Sequence, residues 1–332
     1  MKMISRRAGL LALSALLALP LAGWAQATAP LEKVTVAGWS KPITEITPLL
    51  VDEDKGFYRA NGIDLGYVPG AGGGDAIRNI LSGQADVAFT DPGSFFSALD
   101  KGEKLRAIYD IYPQNVFNVV SLKSSNITKP ADLKGKKIGV YSLSSGTRQN
   151  LLVLLHQAGL SESDVTIVVT GVLNFAPLLQ GQVDATAATD TGLLVGRRKG
   201  VGDVNVMEVG KYLNVSSDMF VVREEVYQQK KALLKRFLKS YRDASAWMIA
   251  HPDEAAKLAS KRAIDGTDPA VNLEIVRLRN ASSVSPTTQK NGLGAFDLDS
   301  LQKAAEAYRK LGLVQRDIKV SDAVSTDLLP GK

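Results

Sequence analysis

Leu81-Ser82-Gly83-Gln84-Ala85-Asp86, running on into Val87-Ala88-Phe89-Thr90-Asp91, recurs later in the chain as Leu179-Gln180-Gly181-Gln182-Val183-Asp184, running on to Thr189-Asp190. Each copy reads as a helix end, a glycine turn, an aspartate, a short buried strand and a Thr-Asp pair at the strand's carboxyl edge. A match of this length, spaced by about a hundred residues, argues for two lobes of similar plan. Chance likeness between two β–α units is the alternative reading. Asp86 and Asp184 precede their strands and are expected in turns on the far side from the Thr-Asp pairs.

The pattern around both copies supports the two-lobe reading. Val34 to Trp39 is an apolar strand entering a polar turn, Leu49 to Ala60 reads as a helix, and Ile63 to Val68 as a second strand. A glycine-rich turn, Gly70 to Gly74, leads into a helix with Ala76, Ile77, Ile80 and Leu81 on one face. Val87–Thr90 is a third strand, Pro92–Lys101 a helix, and Leu105–Ile111 a fourth strand. The rhythm restarts with a strand over Lys136–Tyr141 and a helix over Thr147–Gly159, then alternates up to a strand over Val204–Val209. Strand and helix in this alternation imply parallel β–α–β units. After Met219-Phe220-Val221-Val222 the sequence turns helical. Ala232–Ala250 carries Leu233, Leu234, Phe237, Leu238, Tyr241 and Met248 at helical spacing, and helices follow near Pro252–Arg262, Ala270–Arg279 and Asp297–Leu311.

The first 27 residues are expected to be a cleaved signal peptide. Lys2, Arg6 and Arg7 form a basic start, Leu10 to Leu21 an apolar run, and Ala25-Gln26-Ala27 a small-x-small cleavage pattern before Thr28. The run is too short to span a bilayer, which takes roughly 20 residues. Ser5-Arg6-Arg7 is a partial twin-arginine signal, which leaves Sec and Tat export both open. The chain has no cysteine, which excludes a disulfide framework, a thiolate metal site and a lipid anchor after the signal. A freely diffusing exported protein has to be retained by an outer membrane, so the expected location is a periplasm. The 40 Lys and Arg exceed the 34 Asp and Glu by only 6. Three of those bases and no acid lie in the leader, which leaves about +3, too little to argue for nucleic acid or a membrane surface. The clusters Arg197-Arg198-Lys199, Lys230-Lys231, Lys235-Arg236 and Lys261-Arg262 read as solvated helix faces or ends.

Several short motifs, in order, resemble one family. They are Lys55-Gly56-Phe57-Tyr58 with Asn61-Gly62-Ile63-Asp64-Leu65, Gly70 to Gly74, Ser82-Gly83-Gln84-Ala85-Asp86, Ala131-Asp132-Leu133-Lys134-Gly135-Lys136-Lys137-Ile138-Gly139-Val140, and Ser145-Gly146-Thr147. In this order they resemble the periplasmic substrate-binding proteins of ABC importers for nitrate, sulfonates, taurine and thiamine pyrimidine precursors. The likeness covers most of residues 33–223 and, more loosely, the helical C-terminus. It implies an α/β fold, the type II binding-protein arrangement of two Rossmann-like lobes joined by two hinge crossovers, with extra C-terminal helices. The expected lobes are 28–118 plus 223–332, and 119–222, with crossings near Asn118–Leu122 and Met219–Arg223. Ligands of open α/β sheets sit beyond the carboxyl ends of strands, so two such edges facing each other would make a closable cleft.

The candidate ligand residues follow from that edge. Trp39 and Ser40 end the first strand; the tryptophan either walls a ligand or belongs to the core. Gly72 and Gly73 lie in a turn before a helix, where amides and helix dipole suit an anionic or carbonyl group; a plain tight turn is the other reading. The turn is not a phosphate-binding loop, since no Gly-Lys-Ser/Thr follows. Thr90 and Asp91, and their repeat partners Thr189 and Asp190, are placed to hold ligand, although Asp91 is equally suited to cap a helix. Ser144, Ser145, Gly146, Thr147 and Arg148 open a helix of the second lobe, and Arg148 is the one cation expected near the cleft, able to grip a carboxylate or sulfonate if it is not simply solvated. Tyr112 and Asn174, with Tyr109, are weaker candidates.

Catalysis has little support. His156 lies in a Leu-rich helix and His251 precedes Pro252; two scattered histidines make no metal set, and no nucleophile elbow occurs. No cofactor and no metal is expected. The fungal pyrimidine synthases related to this family rely on a histidine and a cysteine-rich motif, and this chain has no cysteine. The expected partners are a small-molecule ligand and an inner-membrane ABC permease, with the chain as a monomer and no nucleic acid. A ligand-presenting role toward a membrane sensor is the alternative. The ligand itself is open between a sulfonate- or carboxylate-type anion and a pyrimidine-like heteroaromatic.

Overall fold

The computed structural model describes residues 30–171 and 175–331; the first 27 residues, expected to be a signal peptide, and Asn174 lie outside the described residues. Ten strands form two sheets of five. They are β1 Glu32–Ala37, β2 Ile63–Val68, β3 Val87–Thr90, β4 Leu105–Tyr112, β5 Phe117–Leu122, β6 Lys137–Val140, β7 Thr166–Val169, β8 Ala185–Thr189, β9 Val204–Glu208 and β10 Asp218–Arg223. One sheet runs β2-β1-β3-β10-β4 and the other β7-β6-β8-β5-β9, so the two lobes share one strand plan.

The sheets are mixed where the alternation predicts parallel ones. β10 runs antiparallel to β3 and β4, and β5 antiparallel to β8 and β9. The cause is the crossing between lobes. The chain passes from one sheet to the other between Tyr112 and Phe117, and again between Glu208 and Asp218. Each arriving strand enters from the cleft side, against its neighbours, and fills the fourth place in its new sheet. Asn118–Leu122 and Met219–Arg223 are therefore bodies of sheet strands, and the connections precede them.

The repeat does the same work in both lobes. Gly83 and Gly181 have φ of +79° and +70°, a left-handed turn that glycine adopts without strain. Three residues on, Asp86 Oδ2 accepts from the Thr35 amide at 3.0 Å and Asp184 Oδ2 from the Lys137 amide at 2.8 Å. Asp86 thus pins β1 to the start of β3, and Asp184 pins β6 to the start of β8, at the edge away from the cleft.

One expected helix is broken. Leu49–Ala60 becomes short turns at Thr47–Leu50, Asp52–Lys55 and Arg59–Asn61. Gly56, left-handed at φ +72°, ends the second, and Asp52 Oδ1 takes the Tyr58 amide at 2.6 Å.

The C-terminal helices cover the first sheet. Lys231–Ala250 sets Phe237 and Tyr241 edge-on against Phe220 of β10, with ring centroids 5.2 and 4.6 Å apart, an orientation aromatic pairs favour. The helix Leu298–Lys310 brings Tyr308 onto Phe96 at 5.5 Å. Among the described residues, no helix is long and apolar enough to cross a membrane.

Candidate functional site

A cavity lies between the two sheets, where the carboxyl ends of the parallel strands face each other and the antiparallel β5 and β10 begin. Its space, counted out to the open mouth and including solvent there, is about 680 Å³.

The first lobe supplies Trp39, Glu45, Gly72, Gly73, Asp91, Asp218 and Arg279 to the wall. Trp39 lies just past β1 and meets Phe89 edge-on at 6.4 Å. Asp91 follows β3 and caps the helix Pro92–Asp100, accepting from the Ser94 amide at 2.9 Å and the Ser94 hydroxyl at 2.7 Å. Asp218 is the first residue of β10. The second lobe supplies Phe117, Tyr141, Ser145, Gly146, Thr147, Phe175, Thr186 and Thr189. Among the described residues that line it, this side carries rings, hydroxyls and small apolar groups and no charge.

The lobes touch at the mouth. Tyr141 stands edge-on to Trp39 at 6.4 Å and donates its hydroxyl to the Gly70 carbonyl at 3.2 Å. Ser142 and Ser144 donate to the Ala71 carbonyl, and the Gly74 amide donates to the Ser144 carbonyl at 2.9 Å. A Cβ on Gly72 would sit 2.5 Å from the Ser144 carbonyl oxygen, so this turn is glycine because another backbone passes against it. The turn's amides are largely used: Gly70 and Gly72 donate to the Ser40 and Trp39 carbonyls, and Ala71 to the Asp75 carboxylate.

Arg279, from the helix Pro269–Ser282, ties the lobes together below the cavity. Its side chain is 1 % exposed. Nε donates to Glu45 Oε2 at 2.7 Å; Nη2 donates to Asp190 Oδ1 at 2.7 Å and Thr191 Oγ1 at 2.8 Å. The Thr191 hydroxyl in turn donates to Glu45 Oε1 at 2.7 Å. Glu45 and Arg279 belong to the first lobe, Asp190 and Thr191 to the second. The guanidinium also lies over the Tyr112 ring at 5.2 Å, and the Tyr112 hydroxyl donates to the Glu45 carbonyl at 3.0 Å.

The cavity's electrostatics are acidic. Burial works against the Arg279 charge, but the Glu45 and Asp190 carboxylates outweigh it and push its pKa up. Burial also raises the pKa of Asp91, against the opposing hydrogen bonds from Ser94. Asp218 is raised well above the ordinary carboxylate range, first by burial and then by the nearby Asp91, with Arg279 pulling the other way. Among the described residues lining the cavity, Arg279 is the only cation, and its charge is already matched by two carboxylates.

Of the residues expected from sequence, Trp39, Gly72, Gly73, Asp91, Ser145, Gly146, Thr147 and Thr189 line the cavity. The others lie elsewhere. Ser40 is buried behind Trp39 with its hydroxyl on the Lys41 carbonyl. Thr90 is buried and donates to the Gly73 carbonyl at 3.0 Å. Ser144 is part of the interlobe seam, and Tyr112 and Asp190 serve the Arg279 network. Arg148 turns away from the cavity to Glu162, with Nε on Oε1 at 2.9 Å. Tyr109 is core, packed on Tyr241 at 5.4 Å. Sequence reasoning missed Glu45, Phe117, Tyr141, Phe175, Thr186, Asp218 and Arg279. Phe117 and Asp218 had a signal: once two strands are known to cross between lobes, their first residues must stand at the cleft.

Comparison with known proteins agrees with this architecture. The family described as NMT1/THI5 like matches residues 43–255. The chain is 25 % identical over 307 residues to the riboflavin-binding protein RibY of Chloroflexus aurantiacus, covering 91 % of this chain and 87 % of that one. It is 22 % identical to the 4-amino-5-hydroxymethyl-2-methylpyrimidine phosphate synthase THI12 of Saccharomyces cerevisiae, over 68 % of this chain and 70 % of the other. In structure it is similar to the alkanesulfonate-binding protein SsuA from Xanthomonas axonopodis pv. citri bound to MOPS, with a TM-score of 0.70, 19 % identity, and coverage of 90 % of this chain and 100 % of that one.

Proposed function

The chain belongs to the NMT1/THI5 like family, and from that premise we propose that it captures a small heteroaromatic solute between its lobes and hands it to an inner-membrane ABC permease. The observation that carries the reading is a cavity built jointly by two sheets, walled by Trp39, Tyr141, Phe117 and Phe175 and offering no unmatched cation. Rings that flank a cleft hold a flat ligand by stacking or edge contact. Two lobes, each built on one of the sheets and joined between Tyr112 and Phe117 and between Glu208 and Asp218, close on the solute as hinged bodies, and the first 27 residues direct export to the periplasm.

A sulfonate or carboxylate fits less well. The amides of Gly70, Ala71, Gly72 and Gly74 already have acceptors, and Arg148 is engaged by Glu162. Neither histidine lines the cavity and the chain has no cysteine, which favours capture over the synthase reading.

A thermal-shift screen of flavins, pyrimidines and alkylsulfonates tests the reading. A ligand present at about 100 times its Kd adds about 2.7 kcal/mol of stability, and the bound compound should be recovered unchanged by mass spectrometry. Stabilisation by sulfonates alone, or recovery of a converted product, would refute it.

A further inference from the structure

Asp218 is the one cavity acid with no structural employment. Asp91 caps a helix, Glu45 and Asp190 neutralise Arg279, and Asp110, buried nearby, accepts from the Ser216 hydroxyl at 2.7 Å. The Asp218 carboxyl, on a residue 7 % exposed, has no hydrogen-bond partner among the described residues. A buried carboxyl left in this state lowers stability without return from the fold. Nor does its position follow from strand pairing: the register between β10 and β4 slips between Asp218 and Met219, the kind of irregularity that re-aims a side chain. Two further polar atoms on the wall are buried and unpartnered among the described residues, Trp39 Nε1 and Thr186 Oγ1.

We propose that Asp218 is the specificity residue of the cavity, accepting a hydrogen bond from an N–H of the ligand. The indole N–H of Trp39 is then the matching donor, toward an acceptor on the same ring system. The ligand class is a neutral or cationic heteroaromatic carrying both an amino or ring N–H and a ring acceptor. An anion is disfavoured because Arg279, the only cation among the described residues lining the cavity, is already matched by Glu45 and Asp190. Asp91, Glu45, Asp110 and Arg279 are charged groups that act on Asp218, and Arg279, the one cation among them, is committed to Glu45 and Asp190. The inference rests on the cavity being the solute site proposed above and adds which edge of the solute is read.

The experiment is calorimetric binding of four probes, 4-aminopyrimidine, 4-aminopyridine, 4-methylpyrimidine and benzenesulfonate, to the full protein and to Asp218→Leu and Asp218→Asn. In the wild type the amino probes should bind at least tenfold tighter than the methyl isostere, and benzenesulfonate weakest. Asp218→Leu should weaken the amino probes roughly tenfold or more and change 4-methylpyrimidine by less than twofold. That retained binding also shows that the variant is folded. Asp218→Asn keeps an acceptor oxygen and should fall between. Equal loss of all ring probes in Asp218→Leu, or no loss, overturns the role of Asp218 while leaving the cavity as the solute site. If benzenesulfonate binds the wild type best, or none of the ring probes binds it, the heteroaromatic reading of the cavity fails and takes this inference with it.

Discussion

The two Thr-Asp corners, alike in sequence and in strand position, put their carboxylates to different uses. In the first lobe Asp91 is the helix cap, held by Ser94 of its own helix. In the second the cap has moved back one residue: Thr189 accepts from the Gly192 amide at 3.2 Å, and Asp190 becomes the first helical residue. Its carboxylate is then free to cross the cleft to Arg279. The sequence difference behind this is small. Pro92 follows Asp91 and favours the first helical position, which makes the aspartate the cap; Thr191 and Gly192 follow Asp190 and impose no such register. Both carboxylates sit at the positive end of a helix dipole, so either arrangement keeps the helix start satisfied. The repeat dictates the backbone plan, and a one-residue change of cap decides whether an aspartate serves its own lobe or joins the two.

Arg279→Ala breaks the joined corner and carries the largest expected effect. It leaves Glu45, a buried carboxylate, without its counter-charge, and removes the bond to Asp190. Breaking a buried pair in this way costs about 3–5 kcal/mol, to be read as a lower midpoint in urea denaturation.

A smaller effect is expected at the other corner. Asn caps helices about as well as Asp, so Asp91→Asn isolates the charge from the cap. Folding raises the Asp91 pKa through burial, so between its unfolded value of 3.8 and the raised value the native state holds a proton the unfolded chain has lost. Wild-type stability therefore falls relative to the variant as pH rises through that window. Urea denaturation from pH 4 to pH 8 should show the two proteins nearly equal at the acid end and the variant ahead at the basic end. A gap that narrows with rising pH would contradict the assignment.

Much of the fold is legible because its signals are local. The glycine turns at Gly83 and Gly181, the aspartates behind them and the apolar strands all act within a few residues, and β3 and β8 lie where the repeat puts them. The site is less so. A rule that looks beyond strand carboxyl ends finds Trp39 and Asp91, but it misses Phe117 and Asp218, which begin strands running the opposite way. Glu45 and Arg279 stand 234 positions apart, one in a short turn and one in a late helix. No periodicity brings such a pair together; only the closed fold does. The glycine turn reads from sequence as amides open to an anionic or carbonyl group or as a plain tight turn, and what lies against it is the Ser144 backbone.

Arg148 supplies the smallest expected effect and the sharpest contrast with the residue that opens the first wall. From sequence it is the cleft's cation, because it sits in the first turn of a helix whose cap, Ser145, lines the cavity. Its guanidinium is instead drawn to Glu162, which takes it in two hydrogen bonds. Arg148→Ala should change ligand affinity by less than twofold, since the contact it loses lies outside the cavity. Trp39→Ala, removing one wall of the cleft, should weaken the same ligand by roughly tenfold, the scale of about 1.4 kcal/mol. Titration of both variants with one heteroaromatic ligand decides between the walls. Equal losses would mean that the helix start at Ser145 contributes charge to binding after all, and that the commitment of Arg279 to Glu45 and Asp190 does not leave the cavity without a cation for ligand.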